Sequence, residues 1–180
     1  MRRMWTAALI VVALAGVAAG CGGSSNDQTD PTAAWASGFC SAITTWTDDL
    51  HSITQQFTDP SNLSQDGLAS AAEDARTSTD QLVNSLKDLG APETDSGQEV
   101  KSALDTLSTT LDAETAQIQA TAHGVTGISG VPSAITKISA SLSALGTAFS
   151  DTLQTIENAD TKGELQSALG DSPDCADISN

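Results

Sequence analysis

The chain has 180 residues, with 23 acidic side chains against seven basic ones and a formal net charge of −16. So acidic a surface repels phosphate backbones and anionic headgroups, which argues against nucleic acid as a partner and against electrostatic adsorption to a membrane; neutral, cationic or divalent-metal partners remain. The sequence has no tyrosine and no alternating β-branched run bounded by turns, so strands are not expected.

In chain order, Arg2 and Arg3 make a short positive start, and Met4 to Val17 form an apolar run of about 14 residues, shorter than the ~20 needed to span a bilayer. Small residues follow. Ala18, Ala19 and Gly20 let a peptidase approach the backbone closely, and Cys21 comes next with a thiol that a lipid can alkylate. This "VAAGC" segment resembles the lipobox of bacterial lipoproteins, although the family usually carries Leu where Ala18 stands. The resemblance covers residues 1–21. It implies that Cys21 is diacylglyceryl-modified, that signal peptidase II cuts just before it, and that the new N-terminus is open to acylation by a fatty acid such as palmitate. The implied location is the extracytoplasmic face of the cell membrane. An ordinary secretory signal would leave Cys21 as a spare thiol, a liability outside the cell.

Each buried methylene is worth about 0.8 kcal/mol, so one acyl chain binds reversibly while two or three hold a protein on the membrane. The expected division is a signal peptide at 1–20, a lipidated flexible tether at 21–31 and a folded domain at 32–180. Loss of residues 1–20 removes Arg2 and Arg3 and leaves five basic against 23 acidic residues, a net charge of −18. The "GGSSNDQTDP" tether has no apolar residue and spans about 18 Å on average as a random coil.

With Cys21 lipidated, Cys40 and Cys175 are the cysteines left, and in an exported protein one remaining pair most simply forms one disulfide. A redox-active pair would call for a Cys-x-x-Cys spacing, which these two lack.

The rest of the chain follows a helical period. The large residues of the first segment, Trp35, Phe39, Ile43, Trp46, Leu50, Ile53 and Phe57, step by three or four and mark one helix face. A second stripe runs Leu68, Ala72, Ala75, Thr79, Leu82, Leu86 and Leu89 and stops at Gly90 and Pro92. The third comprises Val100, Leu104, Leu107, Leu111, Ile118 and Ala122. The fourth, opened by Pro132 and Ser133, comprises Ile135, Ile138, Leu142, Leu145, Phe149, Leu153 and Ile156. A short fifth piece is expected from Thr161, which with Glu164 has the spacing of a capping box and carries Leu165 and Leu169 on its inner face. Four segments of about 25 residues with short connections predict an all-α, antiparallel four-helix bundle with a short fifth helix, tied by one disulfide. In such a bundle the start of helix one and the end of helix four share an end, as a Cys40–Cys175 bridge requires.

Candidate chemistry is sparse. Asn62, Ser64, Asp66, Gly67 and Glu73 partly match a calcium loop, but Asn stands where the first ligand should be Asp. The same residues serve as the polar start of helix two, with Ser64 as its N-cap. "GVTGISGV", Gly124 to Val131, lacks the lysine and the strand-to-helix context of a phosphate loop and is read as a helix connection. Glu114 falls between Leu111 and Ile118 on the third stripe; the expectation is that Thr115 faces inward while Glu114 reaches the rim. His51 and His123 are isolated and read as solvated, and Trp35 and Trp46 read as packing residues. No Ser/His/Asp or Cys/His arrangement can be placed by spacing.

These features favour a lipid-anchored extracytoplasmic interaction or binding module over a metal (calcium-like) or small-ligand binding lipoprotein, with an enzyme third. No catalytic residue, metal ligand or cofactor is expected; beyond the membrane anchor, the partner expected is an envelope protein. The connection after helix three lies at the end of the bundle away from the tether. Val125, Ile128 and Val131, which no helical stripe requires, are its expected partner-facing residues.

Overall fold

A computed structural model describes residues 30–56 and 64–176 of the chain. The elements are α1 (Pro31–Gln56), α2 (Gln65–Leu89), α3 (Gly97–His123), a 3-10 turn at Ile128–Gly130, α4 (Val131–Ala159), α5 (Glu164–Asp171) and a final 3-10 turn at Pro173–Cys175. Helices α1 and α2, α2 and α3, and α3 and α4 pack as successive antiparallel neighbours, and α5 and the final turn come back onto α1. The result is the expected all-α bundle with its fifth helix.

Local chemistry sets the helix starts. Asp30 accepts a hydrogen bond from Thr32 N at 2.9 Å, with Pro31 in the first helical position, where its missing N–H costs nothing. Ser64 caps α2 as expected, accepting from Gly67 N at 3.1 Å, and Asp66 sits in the first turn facing the positive helix end. The start of α5 departs from expectation. Thr161 does not cap it; instead the Asp160 carboxylate accepts from Glu164 N at 3.0 Å and Gln166 N at 2.8 Å. Gly163, at φ 71°, supplies the left-handed residue before the helix, and Asp160 reaches two of the orphan donors in the first turn.

Inside, the four stripes meet as the 3,4 spacing requires. Phe39, Ile43, Val100, Leu107, Leu111, Ile156 and Leu165 are each less than 2% exposed. Thr115 faces inward and Glu114 is half-buried, so the third stripe drifts as anticipated. Trp35 stacks on Phe39 with ring centroids 5.3 Å apart, and its indole N–H donates to Gly90 O at 3.1 Å. Trp46 is also buried and donates to Thr79 Oγ1 at 3.2 Å, so both tryptophans serve packing with their polar atoms satisfied.

Cys40 and Cys175 form a disulfide, with Cα atoms 5.0 Å apart. Ser37 Oγ donates to the Asp174 carboxylate beside it. Together they fasten the last turn to the first three turns of α1. At the same end the connection between α2 and α3 turns so tightly that a Cβ on the buried Gly97 would lie 2.1 Å from Pro92 O. Lys162, in the connection before α5, pairs with Asp95, in the connection before α3. This hydrogen-bonded pairing holds the Asp95 carboxyl below the usual carboxylate range and raises the Lys162 ammonium above the usual lysine value. Both groups are exposed, and solvent screens the pair.

Candidate functional site: an apolar groove between the first and fourth helices

The backbone packing has an asymmetry. Three of the helix seams are closely packed, but the α1–α4 seam that would close the ring is not among the close pairs. At the disulfide end, α5 and the last turn come back onto α1, and Leu165 is fully buried. Toward the opposite end the seam opens into a cavity of about 270 Å³.

Its walls come from all four long helices. Leu50 and Ile53 of α1 face Ile135, Ile138 and Leu142 of α4 across the opening. Leu68 and Ile118 contribute from α2 and α3, and the remaining α2 surface is made of Ala71, Ala72 and Ala75. These three alanines explain the space. Methyl groups in place of branched side chains leave volume that the neighbouring helices do not fill. Among the described residues, Thr54 and Ser139 are the polar residues of the lining, and none of its side chains is ionisable. Thr54 Oγ1 already donates to His51 O at 2.8 Å.

Ile135 and Leu142, inward positions by the periodicity of α4, are therefore 42% and 38% exposed. The stripe is correct as a helix face, but the part of the face toward α1 has no neighbour. The apolar loop expected to meet a partner behaves in the opposite way. Val125 and Val131 are buried, at 4% and 6% exposure, and belong to the core cluster. The reason is energetic: a short connection that folds back over the end of the bundle buries two branched side chains, each worth about 1.5–3 kcal/mol. Ile128 lies in the 3-10 turn, and its side chain falls outside the described residues.

The metal reading loses its loop. Residues from Gln65 onward are helical, so Asp66 and Gly67 form the first turn of α2 and cannot wrap an ion. Glu73 accepts from Gln119 Nε2 at 2.7 Å, and Gln119 in turn accepts from Arg76 Nη1 at 3.3 Å, a polar clamp between α2 and α3. Asn62 and Cys21 fall outside the described residues. Among the described residues no group of three or more His, Cys, Asp or Glu side chains is placed to share a metal ion. His51 is exposed and bonds Gln55, and His123 is exposed at the last turn of α3.

The groove residues were visible in the sequence as stripe positions but not as a site. The available signal was the run of alanines in α2 opposite large residues in α1 and α4, which predicts a volume deficit once the facing helices are known. No family model matches the chain, and no curated protein or solved structure matches it.

Proposed function

We propose that this protein is a lipid-anchored, extracytoplasmic binding module, without enzymatic activity of its own, that holds an apolar group in the α1–α4 groove. The observation that carries the binding half is the groove itself: a space of about 270 Å³ with aliphatic walls and, among the described residues, no ionisable group in its lining. Small-ligand sites are concave and mostly apolar with a few polar groups, and this groove has that make-up at the small end of their size range of about 300–1,000 Å³. The anchoring half is supported by the "VAAGC" segment, which resembles a lipobox, and by the polar residues 22–29 that separate Cys21 from the first described residue, Asp30. A tether of that composition lets the domain stand off the lipid surface with its groove accessible.

Metabolic labelling with a fatty-acid probe tests the anchor. The wild-type chain should incorporate label and fractionate with membranes, while Cys21→Ser should lose the label and yield unprocessed or released protein. Equal labelling of the two overturns the anchor.

A further inference from the structure

Resting on that reading, we propose that the groove is a site for a single medium-length acyl chain of an uncharged amphiphile, such as a monoacylglycerol. Shape gives the first argument. Residues of all four long helices line the space, and one ~5.4 Å turn of a helix about 10 Å across occupies roughly 420 Å³, more than its 270 Å³ can hold. A flexible hydrocarbon chain fits. Size gives the second: an engineered cavity of about 150 Å³ with Leu, Ile and Phe walls takes up benzene, so about 270 Å³ corresponds to roughly ten carbons. That is one chain, and too little room for the two chains of a phospholipid.

The third argument is chemical. A charged headgroup drawn into this lining would lose its hydration with no counter-charge to replace it. The head must stay at the rim. Over the chain as a whole, the net charge of −16 works against the approach of an anionic amphiphile such as a fatty-acid carboxylate. Ser139 is exposed and lines the groove, offering its hydroxyl to an ester carbonyl or a hydroxyl head. Ile135 and Leu142, both more than a third exposed, are the side chains that a bound chain would cover.

The experiment uses the full chain in phosphatidylcholine vesicles, exposed to a diazirine-bearing monodecanoylglycerol and irradiated, with adducts mapped by peptide mass spectrometry. Adducts should fall on the groove lining, within Leu50–Thr54, Leu68–Ala75 or Ile135–Leu142 or at Ile118. Ala75→Leu, which fills the groove from α2, should lower labelling at least about tenfold while the circular dichroism and melting midpoint match the wild type. The matching decanoate probe should label at least about tenfold less than the neutral one. Adducts scattered over surfaces away from the groove, no adduct at all, or a carboxylate probe that labels as well as the neutral one overturns the proposal. So does a folded Ala75→Leu protein that labels like the wild type. Should Ala75→Leu fail to fold, Ile135→Ser at the exposed rim decides: labelling within about twofold of the wild type counts against the site. Cys21→Ser separates the two proposals, because a variant that labels in the groove and keeps the wild-type level of fatty-acid incorporation overturns the anchor alone. Anchoring without groove labelling overturns this site alone.

Discussion

Cys40, in the third turn of α1, is bonded to Cys175, in the last 3-10 turn, across 135 residues of sequence. Both are buried, and the bond draws the end of the described chain onto α1 beside the stacked Trp35 and Phe39. Closing a loop this long restricts the unfolded chain by up to about 5 kcal/mol in the chain-entropy model. For a domain of this size 1 kcal/mol moves the melting midpoint by about 2–4 °C. Reduction should therefore lower the midpoint by about 5–15 °C while the far-ultraviolet circular dichroism remains helical. Thiol counting on unreduced Cys21→Ser protein should find none, and two reactive thiols would refute the bond.

Asp160 is expected to carry the start of α5. Its carboxylate satisfies two backbone donors, Glu164 N and Gln166 N. Asp160→Ala should cost about 1–2 kcal/mol in urea-melt stability. Thr161→Ala, which removes the residue that the sequence suggested as the cap, should cost under about 0.5 kcal/mol. The reverse order would restore Thr161 as the cap.

Gly97 tests the tight turn between α2 and α3. An added Cβ would sit 2.1 Å from Pro92 O, which belongs to the backbone and cannot rotate aside like a side chain. Gly97→Ala should therefore destabilise the protein by about 1–3 kcal/mol, despite the better helix propensity of alanine. A neutral or stabilising result would mean that the 91–96 connection shifts freely.

Thr115 offers a stabilising change. Its hydroxyl is buried on α3 at 2% residue exposure with no hydrogen-bond partner, unlike Thr152, which donates to Ala148 O at 2.8 Å. Thr115→Val keeps the shape and removes the unsatisfied group, so the urea midpoint should rise by the equivalent of about 1 kcal/mol with the slope unchanged. A drop would show that the hydroxyl finds a partner in solution.

The sequence by itself determined the elements. Apolar side chains spaced by three and four, Gly90 and Pro92 after Leu89, and Ser64 ahead of Leu68 are local signals, read within a few turns of one helix. The cysteine arithmetic also sufficed for the pairing, because an up-down bundle leaves Cys40 and Cys175 at one end. The tertiary structure decided which parts of each stripe have a neighbour. Periodicity assigns Ile135 and Leu142 to the same face as Leu145 and Ile156, yet the first two are exposed and the latter two are buried. That difference depends on the width of the gap between two helices about 80 residues apart in sequence, on three alanines in a third helix and on the return of α5 to α1. Val125 and Val131 show the converse: with no stripe to claim them they read as a surface, and the bundle end buries them. A helix face is set by spacing within a segment, whereas burial is set by the volume that other segments bring to it, and only packing supplies that volume.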